Sequence, residues 1–155
     1  MSSAKDISGV DTTMAMLKLK GVKKQLAMTA PVVMRQQAQM LYDAMAKNLK
    51  GPAYGTESGP RGGIKMTRGP GTGKMPVPRI TGTLAGAAYI IPLSSIIWIV
   101  GVDNERCPYA VWVHDGTKYM KPREFLGEPV KELRTIIERT IRAEIIEAIR
   151  IVGNA

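Results

Sequence analysis

Apolar residues recur at three- and four-residue spacing from about Glu128 to Ile151, through Val130, Leu133, Ile137, Ile141, Ile145 and Ala148. That period puts them on one side of an α-helix, with Arg and Glu on the other and Glu138–Arg142 spaced i,i+4 as an ion pair. Ile136, Ile146 and Ile149 widen the stripe beyond what one sheet face needs. Part of this C-terminal helix, within residues 122–152, is therefore expected to face another subunit.

Upstream the period shortens. Leu84–Leu93 reads as a strand interrupted by Pro92, which places it at an edge or a bulge. Ser94–Ser95 makes a turn, and Ile96–Val102 is apolar on both faces, as a strand covered on both sides would be. Pro108–His114 reads as a third strand, ended by Asp115–Gly116, with Gly116 and Thr117 shaping the turn that leaves it. Short connections make the three an antiparallel meander over residues 80–117. Near the N-terminus, Leu17 and Leu19 alternate with Lys18 and Lys20, so Met14–Lys20 reads as a short strand ended by Gly21. Val22–Met28 allows one or two helical turns. Thr29 then suits an N-cap, with Pro31 just inside a helix that runs to about Lys50, carries Val33, Met40, Leu41, Ala44 and Met45 on one face, and stops at Gly51–Pro52. The expected architecture is one α+β domain over residues 1–155. It has an N-terminal tail (1–13), a strand and helix (14–50), a loop (51–79), the meander and the C-terminal helix.

The loop changes the picture most. Residues 51–79 hold eight Gly and five Pro, and no helical or strand period survives there. A structureless segment of this length is uncommon in a compact domain and is usually functional or disordered. It carries Arg61, Lys65, Arg68, Lys74 and Arg79 against the single acid Glu57. Charge follows the same asymmetry. Of the net +9, residues 80–155 contribute nothing, with nine basic and nine acidic side chains, so the excess lies in the first half. Basic side chains on Gly/Pro backbone can follow a phosphate chain without reading bases. Tyr54 is the loop's one aromatic, which gives little basis for base stacking.

Other chemistry finds little support. Gly69–Lys74 resembles a phosphate loop but has Arg68 where the first Gly belongs and Met75 where Ser or Thr must meet the metal. Cys107 and His114 lack an orienting third group. Glu144 and Glu147 sit among arginines, as on a solvated helix face. One Cys and one His fall short of a structural zinc site, and one Cys forms no internal disulfide, which fits an intracellular setting. No apolar run reaches membrane-spanning length and no signal peptide is evident. Neither catalysis, a cofactor nor a metal is expected.

Four segments carry a resemblance. Pro78–Leu84 (PRITGTL) resembles the Pro-x-x-Thr-Gly-x-Leu segment of the tail-completion, or neck, proteins of long-tailed bacteriophages. Pro108–Thr117 (PYAVWVHDGT) is similar to their Tyr-Ala-x-x-Val-Glu-x-Gly-Thr strand, and Pro122–Val130 (PREFLGEPV) to the Pro-x-x-Phe-Leu-x-Pro segment opening their last helix. Leu17–Leu26 (LKLKGVKKQL) fits their opening strand, Gly and helix. His114 replaces the usual Glu, Asp115 an aromatic, and Glu124 a Pro; one extra residue separates Leu126 from Pro129.

The resemblance implies a small structural virion protein without catalysis, made in the host cytoplasm and placed in the neck at the head–tail junction. It would form a cyclic ring of six or twelve copies around the DNA exit channel, joining connector or head-closure proteins to the tail terminator or tail tube. On that reading, Ile97, Trp98, Ile99, Trp112, Phe125, Ile136, Ile146 and Ile149 are core or subunit-interface residues. Arg61, Lys65, Arg68, Lys74 and Arg79 would contact a partner ring or, without sequence preference, genomic DNA. The alternative is a free, sequence-nonspecific cytoplasmic DNA-binding protein.

Overall fold

The computed structural model describes residues 8–51, 77 and 82–154. The loop cations Arg61, Lys65, Arg68, Lys74 and Arg79 lie outside the described residues, as do Gly69–Lys74 and Tyr54.

The first element is a single helix, α1, Ser8–Leu49, 42 residues long and so roughly 63 Å from end to end. It replaces the expected strand at Met14–Lys20. Met, Leu and Lys are good helix formers, the segment has no β-branched residue, and four alternating positions are too few to outweigh that preference. Gly21 does not end the helix. A Cβ there would stand 2.9 Å from Val152 Cγ1, so this glycine is a point of close approach to the last helix. Thr29 does not cap a new start either. Its hydroxyl donates back to the Gln25 carbonyl at 3.3 Å, and Pro31 sits inside the continuous helix.

After one helical turn, α2 at Thr83–Gly86, comes a hairpin of β1, Ala88–Pro92, and β2, Trp98–Val102. The strands pair antiparallel with Ala88 opposite Val102, Ile90 opposite Val100 and Pro92 opposite Trp98. Ser94 Oγ accepts the Ile97 N–H at 3.2 Å and closes the tip. The expected strand from Leu84 thus starts late. Gly82, at φ 81°, sends the chain into α2 first, and Leu84 drops into the core.

The third strand expected at Pro108–His114 is absent, and the sheet has two strands among the described residues. Pro108–His114 instead contributes α3, Ala110–Asp115. Asp103 reverses the chain by accepting the Glu105 and Arg106 N–H groups on its side chain and the Cys107 N–H on its carbonyl. The chain then uses Ala110 and Val113, three apart, as its inward positions. The alternation of Tyr109, Val111 and Val113 loses to that spacing, and Trp112 is left 61% exposed.

The last helix, α4, is Gly127–Gly153 and matches the expected period closely. It runs antiparallel to α1, because Gly21 meets Val152 at one end while Asn48 Nδ2 donates to the Phe125 carbonyl at 3.4 Å at the other. Leu133, Ile137 and Ile141 are half-buried and Ala148 is buried, whereas Val130 and Ile145 of the expected stripe are exposed. The Glu138 carboxylate takes its ion pair from Arg134 Nε at 2.8 Å, not from Arg142. The core gathers Met45, Leu49, Val77, Leu84, Ala87, Cys107, Ala110 and Phe125 where the C-terminal end of α1, the hairpin base, α3 and the start of α4 meet.

Candidate assembly surfaces

Two of the segments resembling neck proteins, Pro108–Thr117 and Pro122–Val130, build one joint. Leaving α3, Gly116 adopts φ 79°, and a Cβ there would lie 2.6 Å from Pro122 N and 2.8 Å from the Met120 carbonyl, so only glycine fits. Thr117 and Met120 bridge, and Thr117 Oγ1 accepts the Tyr119 and Met120 N–H groups at 3.2 Å each. The turn expected after a strand is therefore present, but it follows a helix. The chain returns with the Arg123 N–H donating to the Val113 and His114 carbonyls, and Phe125 buries its ring to 4% exposure.

His114 closes the joint. Its ring stands edge-on to Phe125, with centroids 5.0 Å apart and planes at 81°. Nε2 accepts the Gly127 N–H at the start of α4 at 3.4 Å, so the proton is on Nδ1, which lies 2.6 Å from Asp115 Oδ1. Glu124 Oε2 meets Lys131 Nζ at 2.5 Å, tying the approach segment to the first turns of α4. Burial lowers the Arg123 guanidinium from its ordinary value, and among the described residues its buried Nε has no hydrogen-bond partner. Cys107 is a free thiol wholly inside the core. Among the described residues, no three His, Cys, Asp or Glu side chains are grouped so as to hold a metal ion, and no helix is long and apolar enough to cross a membrane.

Outside the joint the notable feature is uncovered apolar surface. The hairpin exposes Ile91, Leu93, Ile96, Ile97 and Ile99, and no charged residue occurs between Ile80 and Val102. Of the residues expected at an interface or in the core, Ile97, Ile99, Ile136, Ile146 and Ile149 are exposed, Trp98 is half-buried, and Phe125 is core. Trp112 is exposed, which corrects a core placement and leaves an interface open. Trp98 Nε1 is buried without a hydrogen-bond partner.

A third exposed set lies on α1, where Met14, Met16, Leu17, Leu19, Met28 and Val32 face solvent. The sequence pattern missed it because a strand at 14–20 would have buried half of these residues. Their position follows only from the continuous helix. No protein family, curated protein or solved structure matches this chain.

Proposed function

We propose that the chain is a structural virion protein of a tailed phage, forming a ring in the neck that joins connector to tail around the DNA exit channel. The observation that carries the reading is the ordered resemblance of Pro78–Leu84, Pro108–Thr117 and Pro122–Val130 to neck proteins. The fourth segment, Leu17–Leu26, lies in α1 and lends no support as a strand. The exposed apolar surfaces fit the proposal. A closed ring repeats one heterologous contact that uses two different faces of each subunit. The uncharged hairpin with Ile97 and Ile99 supplies one such face, and the exposed Ile136, Ile146 and Ile149 of α4 supply the other. Large apolar patches rarely stay open on a lone subunit. The basic segment Gly51–Arg79 would act as a docking or lumen-facing arm.

The test is the copy number of this chain in purified, nuclease-treated particles of its source phage, by quantitative mass spectrometry. About six or twelve copies per particle is the expected result for one cyclic ring. Absence from the particle overturns the reading and favours the free DNA-binding alternative. Deletion of residues 52–76 with no loss of particle assembly or infectivity would remove the arm from it.

A further inference from the structure

The continuous α1 helix creates a surface that the sequence pattern did not anticipate. Lys18, Lys20, Lys23, Lys24 and Arg35 are all exposed, and between Asp11 and Asp43 there is no acidic residue. Among the described residues none of these five cations is in an ion pair, whereas α4 pairs Arg134 and Arg150 with glutamates on its own surface. Lys20, Lys23 and Lys24 stand three and four apart, which puts them on one side of the helix. That side is turned away from α4, because Val22, Gln25, Leu26 and Thr29 fill the half-buried side. Like charges at i,i+3 and i,i+4 weaken a helix, and a bound polyanion relieves that repulsion.

We infer that the outward face of α1 from Lys20 to Arg35 is a docking surface for the phosphate backbone of duplex DNA, read without sequence preference. The cations that share this side, Lys20, Lys23, Lys24 and Arg35, run along about 23 Å of helix, a row that can follow a backbone groove edge. No aromatic residue occurs on α1 before Tyr42, so contact by base stacking is not offered. A basic helix that lies on a bilayer needs a free apolar side opposite its cations, and from Gly21 onward that side is occupied by α4. The inference rests on charge and helix geometry, and it holds with or without the neck reading.

The experiment is fluorescence anisotropy of the full chain with a labelled duplex of arbitrary sequence across a series of KCl concentrations. It is repeated for the variant Lys20→Gln, Lys23→Gln and Lys24→Gln, and for a loop variant with Arg61, Lys65, Arg68, Lys74 and Arg79 changed to Gln. Each lost phosphate contact lowers the slope of log affinity against log salt by about 0.9. The helix variant is expected to lose about three units of slope and the loop variant less. Circular dichroism checks that the helix variant is folded. If it is not, Lys20→Gln alone is expected to lower the slope by about one unit, while Lys20→Arg leaves it unchanged. An unchanged slope in the helix variants, loss of binding only in the loop variant, or equal binding to polyglutamate or to phosphatidylserine vesicles overturns the inference. Absence of the chain from phage particles would sink the neck reading and leave the slope result standing.

Discussion

The two ends of the α1/α4 pair are built on different principles. Where Asn48 meets Phe125, the helices close over a shared core with α2, the hairpin base and α3. Where Gly21 meets Val152, Ala148 is the one fully buried apolar residue of α4 near the contact, and Met14, Met16, Leu17, Leu19, Ile146 and Ile149 face solvent. Because α4 stops at Gly153, level with Gly21, the turns from Ser8 to Lys20 continue past it by roughly 20 Å. Covering a Leu, Ile or Met side chain is worth about 1.5–3 kcal/mol. The compact end collects that gain among the described residues, whereas at the open end the same kind of side chain stays uncovered by them. Under the proposed ring, stability and assembly would fall to opposite ends of one helix pair.

The sharpest way to break this comparison is to truncate one large side chain at each end. Phe125→Ala removes a buried ring and the edge-on contact with His114, and is expected to cost about 3–5 kcal/mol, read as a lowered urea midpoint with an unchanged slope. Ile146→Ala, at 59% exposure, is expected to stay within about 0.5 kcal/mol in the dissociated chain. Equal losses would mean that the open end is not open. The next largest effect tests how the joint is held. Gly116→Ala places a Cβ against Pro122 N and forces a positive φ on a residue that disfavours it. A cost of about 1–3 kcal/mol is expected, with Asn at the same position tolerated no better, since the steric contact remains.

Legibility in the sequence divided along the same line. The C-terminal helix and the hairpin with its Pro92 end and Ser94 turn followed from local period and turn chemistry, whereas Phe125 was expected in the core or at an interface on the resemblance alone and is buried. Two elements did not. Met14–Lys20 alternates over too few residues for a period to be read, and helix propensity together with the Gly21–Val152 contact decided it. Pro108–His114 offered β-branched alternation, but the Asp103 turn delivers Ala110 and Val113 inward at helical spacing. In both cases the deciding contact lies with a residue distant in sequence or with a side chain-to-backbone turn, which single-segment patterns do not carry. For the candidate surfaces, Ile136, Ile146 and Ile149 were legible because they exceeded what one buried face requires. The lysine row on α1 was not, because only the continuous helix sets Lys20 in register with Lys23 and Lys24, three and four residues on, on one side.

A smaller effect sharpens the comparison at the open end. Gly21→Ala gains up to about 1 kcal/mol of helix propensity, set against a Cβ placed 2.9 Å from Val152 Cγ1. Val152 lies in the last turn of α4, where the chain can yield but the helices must part. Gly21→Ala alone is expected to lower the thermal midpoint slightly. Val152→Ala added to it is expected to raise the midpoint above that of the Val152→Ala single variant. A purely additive pair would show that the helices do not touch there.

The smallest expected effect concerns the ion pairs, one at each end. The hydrogen bond from Lys131 and the charge of its ammonium hold the Glu124 carboxyl below its ordinary value, with His114 acting the same way and Asp115 opposing. Lys131 is raised reciprocally by Glu124. A depressed carboxylate stabilises the fold fully above its unfolded pKa of about 4.3, and that contribution fades as pH falls through the folded value. A raised lysine stabilises fully below its unfolded value of about 10.4, and loses this as pH rises through the folded one. Between these limits the pair is insensitive to pH. The Glu147–Arg150 pair at the open end follows the same signs, since Arg150 lowers Glu147 through its hydrogen bond. The geometry differs, however. Glu124 lies outside α4 and Lys131 inside it, whereas Glu147 and Arg150 are three apart on one helix. Lys131→Met is therefore expected to lower the urea midpoint more than Arg150→Met from pH 5 to 9. Both differences from the parent should shrink as the carboxylates protonate. Equal midpoints for the two variants at neutral pH would show that the Glu124 bridge does nothing for the joint that a single-helix pair does not.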